Sequence, residues 1–353
     1  MVSMDRYLST TLGLPYASSL PYAKTPEQLI VFAPIDRMAR LQCVVAERLL
    51  DRPKDDINEV FEIDRLLLEA AAQMPHDWWL TPDLRRNSAT AAVDLDQDRV
   101  VARFNYQLSH YHLLLRLYLP YIFLPRRDAD YGHGKRIALS ASREILLRYH
   151  AFRTWNQSRY YCRGMDFLAL IALTVLCVVH IDARAQQETS VTHTHTPHEL
   201  AHSHPVDRGM MQRTFELMQG LNHDETASKL SDMMQSLLEI ERETTVGTQY
   251  SATAVYNGDG TTEYLSEVLD NGRQLRLRIP YFGTIMLQRH PTSVPTNGSS
   301  AINGHATTDT ITFHNSLDWS GASLQEALTC DDWTLQTVNQ ALFQDLFGGA
   351  STC

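Results

Sequence analysis

Cysteine is sparse and scattered in this chain. The five residues, Cys43, Cys162, Cys177, Cys330 and Cys353, include no C-x-x-C pair, and their number is odd. A disulfide framework is therefore not expected, and a reducing compartment, cytosol or nucleus, fits best. Positive charge is in the minority: 31 Lys and Arg stand against 41 Asp and Glu, for a net charge of -10. Such a chain is a poor candidate for gripping nucleic acid over its general surface. The N-terminus has no apolar run behind a basic start, so a signal peptide is not expected there. No apolar run reaches the roughly 20 residues of a membrane span; the strongest, Phe167 to Ile181, has about 15. It lies between Asp166 and Asp182 and is expected to be a central helix buried on nearly all sides. The chain also lacks G-x-S-x-G, the P-loop and G-x-G-x-x-G, so the common nucleophile-elbow and phosphate-cradling chemistries have no foothold.

What is present is mostly helical periodicity. Ile35, Met38, Leu41, Val45 and Leu49 recur at spacings of three and four, as do Val60, Ile63, Leu67 and Ala71. The apolar stretch from Tyr106 to Pro125 is punctuated by Pro120, where a helix should kink or end. Ala141, Ile145, Tyr149 and Phe152 mark another helical face. His110 and His112 fall in a dense apolar helix and read as satisfied core or rim histidines. Trp78 and Trp79, between Pro75 and Pro82, are expected to pin a loop over a helical core; lining a ligand pocket is the alternative.

Residues 186 to 206 differ in texture, being polar and dense in His, Thr and Pro, as in an exposed loop. Residues 190 to 205 are expected to be mobile, and their deletion to leave stability nearly unchanged. Within it His198-Glu199-Leu200-Ala201-His202 fits H-E-x-x-H, which on a stable helix offers two imidazoles to zinc and a glutamate to polarise water. Glu225 stands at a workable distance for a third ligand. Against this, Pro197 and Pro205 bracket the motif, nothing apolar anchors it, and His193, His195 and His204 make a chance pair easy. A zinc hydrolase using His198, His202 and Glu225 is thus the weaker alternative; no catalytic residue, cofactor or metal is expected. Asp331-Asp332 suggests an aspartate-rich magnesium site, but Leu335 and Gln336 occupy the positions its next carboxylate needs.

Periodicity resumes after Arg208, and Leu230, Met233, Leu237 and Ile240 share a face, with Asp224 as its N-cap. Asn271-Gly272 then signals a hairpin, followed by Leu275, Leu277 and Ile279 alternating with polar residues. The expected organisation is a helical core over 1–185, the His-rich loop over 186–206, and further core helices over 207–245. A hairpin segment over 246–290, a flexible linker over 291–321 and an acidic amphipathic helix over 322–353 complete it. The fold class is all-α with a small C-terminal β-hairpin and a flexible acidic tail. From His290 onward there is no Lys or Arg, while Asp309, Asp318, Glu326, Asp331, Asp332 and Asp345 are acidic. Leu335, Val338, Leu342 and Leu346 fit one helical face, and Trp333, Phe343 and Phe347 add bulky anchors. Such a segment stays soluble alone and can fold into a coactivator groove; packing back on its own core is the alternative.

The blocks "MDRYLSTTLGLPY", "EIDRLLLEAAAQMPHDWWLTPDL", "HYHLLLRLYLPYIFLP", "SASREILLRYHAFR" and "RIPYFGTI", in this order, resemble the regulatory region of fungal zinc-cluster transcription factors, also called the middle homology region. The resemblance covers residues 1 to 290. It implies an all-helical fold, a nuclear role in transcription, and no catalytic residues to carry over. It also implies partners: the transcription machinery, and a second copy or a DNA-binding regulator. The six-cysteine cluster with which that family reads DNA is not among these residues, where the first cysteine is Cys43 alone. Specific DNA binding by this chain alone is therefore not expected, nor is membrane association.

Overall fold

A computed structural model describes residues 5–6, 9–10, 32–51, 57–81, 93–123, 129–155, 163–189, 196–221, 225–255, 266–269, 274–279 and 283–290. The helices are α1 (Pro34–Asp51), α2 (Ile57–Ala72), α3 (Val93–Tyr118), α4 (Ala129–Trp155), α5 (Arg163–Thr189), α6 (Thr196–Gln219) and α7 (Glu225–Thr245). Short 3-10 turns occupy His76–Trp79 and Leu119–Ile122. The strands β1 (Tyr250–Val255), β2 (Ser266–Leu269), β3 (Gln274–Ile279) and β4 (Gly283–Arg289) follow.

Helix α5 is the centre. Residues 164–181 are all buried, and α4, α6, α7 and β1 pack around them. The helix is longer than its apolar run suggests: Gly164–Ala185 is long and apolar enough to cross a bilayer, and no other described helix is. Length therefore does not decide its place. Its apolar window is wholly covered by protein, which makes it the axis of a core. Each large apolar side chain buried there contributes about 1.5–3 kcal/mol. The faces read from periodicity are the faces that pack: Met38, Leu41 and Val45 on α1, Val60, Ile63 and Leu67 on α2, and Ala141, Ile145, Tyr149 and Phe152 on α4. Helix α3 ends at Tyr118, and Pro120 falls in the 3-10 turn that follows.

The hairpin is part of something larger. The four strands form one antiparallel sheet in the order β1-β4-β3-β2. Leu269 pairs with Gln274, so β2 and β3 flank the expected Asn271-Gly272 turn, which itself lies outside the described residues. Leu275, Leu277, Ile285 and Leu287 are buried, and β1 rests on α5. Helix α7 enters the sheet through a left-handed glycine, Gly247 at φ +98. Gly247 N–H donates to Thr244 O, and Thr248 N–H to Glu243 O, which closes the last carbonyls of the helix.

One expectation is overturned. Residues 196–206 are not a loop but the first turns of α6, which runs through Pro205 to Gln219. The proline withholds one backbone bond, yet tertiary contacts outweigh it. Asp207, Met211, Thr214 and Met218 form the buried stripe of α6, and His204 is tied to α7 by a polar contact described below. The anchor is polar rather than apolar, which is why a search for apolar residues missed it. Deleting residues up to 205 would remove that anchor, so a loss of stability becomes the expected outcome of such a deletion. Asp224, the linker over 291–321 and the acidic segment over 322–353 lie outside the described residues.

Candidate functional site

The most concentrated chemistry joins α4, α5, α6 and α7. Asp207 of α6 has a fully buried side chain. Arg143 of α4 donates Nε to Oδ1 and Nη2 to Oδ2, both at 2.7 Å, a two-pronged grip. His180, near the end of the apolar stretch of α5, places Nε2 2.8 Å from the same Oδ2. Burial alone would raise the Asp207 carboxyl, but the bonds from Arg143 and His180 override it and hold the group down at about 2. The same carboxylate keeps the Arg143 guanidinium above its usual range.

One turn away the pattern repeats with Glu241 of α7, whose side chain is 1% exposed. Arg208 Nη1 lies 2.6 Å from Oε2, and Arg184 Nη2 lies 3.4 Å from Oε1. His204 Nε2 sits 2.6 Å from Oε1 of Glu241 and 2.8 Å from Arg184 Nη2, so the ring stands between carboxylate and guanidinium. The rings of His180 and His204 meet edge to face at 4.9 Å and join the two halves. Beneath them Cys177 donates Sγ–H to Leu237 O at 3.2 Å; burial pushes this thiol far up, so it is not a nucleophile. Further along, Arg153 and Asp166 form a separate buried pair with contacts of 2.5–3.1 Å. These groups are paired and saturated, which makes them suited to hold helices rather than to transform a substrate.

The second assembly surrounds the tryptophans, which pack against Met38, Leu41 and Ala70. Trp78 and Trp79 are half-buried, with rings edge to face at 4.9 Å. Trp79 donates Nε1–H to Ala71 O at 3.1 Å and lies 4.7 Å from the His110 ring. Four successive carbonyls of this turn are capped by side chains of the long helices. Arg103 donates to Asp77, Trp78 and Leu80 at 2.7–2.8 Å, Gln107 to Trp78, and the fully buried Arg148 to Trp79 at 2.7 Å. Arg148 also bonds Gln107 at 2.9 Å and lies 4.4 Å over the Tyr111 ring. The turn ends without a following helix, and three cationic or amide side chains supply the donors it needs.

The histidines of α3 are buried as expected, but His110 is not satisfied: its Nδ1 has no hydrogen-bond partner. Burial, reinforced by the Arg148 charge, lowers His110 to about 4; burial and Arg116 lower His112 to about 3. Both are neutral imidazoles at physiological pH.

Of the metal candidates, His198 and His202 fall in α6 and Glu225 opens α7. His202 is exposed; the side chains of His198, Glu199 and Glu225 lie outside the described residues. Among the described residues no three His, Cys, Asp or Glu side chains group to hold a metal ion. Trp333, Leu335, Leu342, Phe343, Leu346 and Phe347 also lie outside the described residues. Neither buried assembly was foreseen. The signal was available, because Arg148 sits on the apolar face of α4 and Asp207 on that of α6, where a lone charge implies a buried partner.

The chain is similar to "Dehydrocurvularin biosynthesis regulator" proteins of two fungi. It is 32% identical to the one from Aspergillus terreus over 304 residues, covering 82% of this chain and 39% of that protein. It is 30% identical to the one from Alternaria cinerariae over 315 residues, covering 86% of this chain and 38% of that protein. It is also 29% identical to "Transcription factor sdnS" of Sordaria araneosa over 309 residues, 84% of this chain and 36% of that protein. The chain is a homologue of fungal transcription regulators. It spans about two-fifths of the length of these relatives, and the matched span takes in most of the helical body. No protein-family model matches the chain. No solved structure matches it either.

Proposed function

We propose that this chain is the regulatory segment of a nuclear transcription regulator that controls a set of biosynthetic genes. The observation that carries this reading is the 32% identity to a biosynthesis regulator along 82% of the chain. The helical body agrees with it: the arginines and carboxylates of its two buried assemblies are bound to one another or to main-chain carbonyls, which suits a rigid scaffold and not a reaction centre. Activity on transcription would come from residues 322–353. There Trp333, Leu335, Leu342, Phe343, Leu346 and Phe347 stand among acids and amides and would dock an apolar face into a coactivator. The body would restrain that segment, and contact with DNA would be made by a DNA-binding partner or by a further part of the same protein.

The test is a reporter assay. Residues 322–353 fused to an unrelated DNA-binding domain should activate transcription, and the whole chain fused to it should activate less. Changing Trp333, Leu342 and Phe343 together to alanine should abolish the signal. A silent wild-type fusion, or a triple variant as active as wild type, would remove the activation role.

A further inference from the structure

We propose that the outward face of α2 is a dimerisation surface that takes the same face of a second copy of this chain, with the two helices antiparallel. Helix α2 is the unusual member of the bundle, because it is apolar on two opposite sides. Val60, Ile63, Leu67 and Ala70 are buried on the side that packs on α1 and α3. On the far side Asn58, Phe61, Arg65, Leu68 and Ala72 are all exposed. With roughly 3.6 residues per turn, these five fall within about 80° of arc. Phe61 is 51% exposed and Leu68 64%. Their steps of three and four are the a and d steps of a heptad, the seam along which two helices pair. A surface helix needs one apolar stripe, facing its own core. A second stripe on the opposite side is one that a partner covers.

The order of residues along the stripe identifies that partner as a second copy. A two-fold axis between Leu66 and Leu67 turns the stripe upon itself. Phe61 of each copy then covers Ala72 of the other, large on small, and Leu68 lies along the aliphatic stem of Arg65. Each contact is made twice. Charge matches in the same register. Glu62, Arg65 and Glu69 read acid, base, acid along the edge of the stripe, and within one helix Arg65 lies 3.1 Å from Glu62 and 3.6 Å from Glu69. Across the axis Arg65 of each copy comes beside Glu69 of the other, so base meets acid twice. The helix has 16 residues and is about 24 Å long, so the pair buries less than the roughly 800 Å² per partner of a standard interface. The dimer is therefore weak and reversible.

The experiment follows the 353-residue chain by analytical ultracentrifugation at physiological ionic strength, over about 1 to 200 μM. The chain should pass from monomer to dimer as its concentration rises, and Leu68→Asp should hold it monomeric. Arg65→Glu and Glu69→Arg should each weaken the dimer on the order of tenfold, because each sets like charges together twice. An equimolar mixture of these two variants should recover the dimer, and so should one chain carrying both changes. Leu68, Arg65 and Glu69 have side chains open to solvent, so the Tm of the monomer should be unchanged. Recovery in the mixture is a result that misfolded variants could not give. A chain that stays monomeric throughout would overturn the proposal, as would a dimer indifferent to Leu68→Asp. So would charge variants that fail singly and do not recover when mixed. A markedly lowered Tm in Leu68→Asp would also overturn it, because a segment of the same chain would then be what covers the stripe.

Discussion

The two buried assemblies use cations in opposite ways. Around the Trp78–Trp79 turn, Arg103 and Arg148 donate to neutral carbonyls of the main chain. Around α6, Arg143, Arg184 and Arg208 meet the carboxylates of Asp207 and Glu241. The first solution completes a turn that has no helix to continue it. The second fixes the docking of a helix that its own sequence, with Pro205 and few aliphatics near its start, would leave marginal. The difference predicts which assembly fails when a partner is removed. A carbonyl that loses its donor can turn toward water near the surface, but the buried His180 and the partly exposed Arg143 would together lose the carboxylate that both of them bond.

The largest effect should therefore come from Asp207→Ala, which strands Arg143 and His180. A loss of about 3–5 kcal/mol is expected in urea unfolding. Arg148→Met should cost less, about 1–3 kcal/mol, because it leaves the Trp79 carbonyl and the Gln107 side chain without their donor but no opposite charge buried alone. If Arg148→Met proves the more damaging of the two, the contrast between the assemblies is wrong.

Acid sharpens the comparison. His110 and His112 lie near 4 and 3, and burial with the Arg213 charge lowers His150 to about 4. Their folded values are depressed, so the unfolded chain binds more protons as the pH drops below the ordinary histidine range. Their stabilising share is complete well above about pH 6.5 and falls by about 1 kcal/mol per histidine between about pH 6.5 and pH 5.5. Asp207, held at about 2, keeps its share until the pH falls below the usual carboxylate range and loses it toward about 2. Urea midpoints measured from pH 7 to pH 5 should therefore fall in wild type, and fall less in His112→Phe. The smallest expected effect is Gly247→Ala, which forces a side chain into φ +98 at the end of α7 and should cost about 1–2 kcal/mol by the same unfolding assay.

How much of this was legible follows from the kind of interaction. Apolar periodicity announced α1, α2, α4 and α7 with their buried faces, because burial repeats at the helical period, and an unbroken apolar run announced α5. Asn271-Gly272 announced a hairpin, but not the outer strands, since pairing with β1 and β4 is set by sheet contacts distant in sequence. The beginning of α6 was hidden for a related reason: composition near Pro205 reads as loop, and the partners that hold His204 in place, Arg184 and Glu241, are distant in sequence. The charge assemblies were visible as single misplaced charges, Arg148 and Asp207, but a single chain does not say which partner each will find. The tail residues from Trp333 to Phe347 lie outside the described residues, and their role rests on charge and spacing alone.

The most direct measurement of the central claim is transcript abundance in the organism that encodes this chain. Removing the coding region should silence a coordinated group of biosynthetic genes, and restoring it should return their transcripts. Unchanged transcripts alongside a single missing or accumulating metabolite would contradict the account, because that is the signature of an enzyme and not of a regulator.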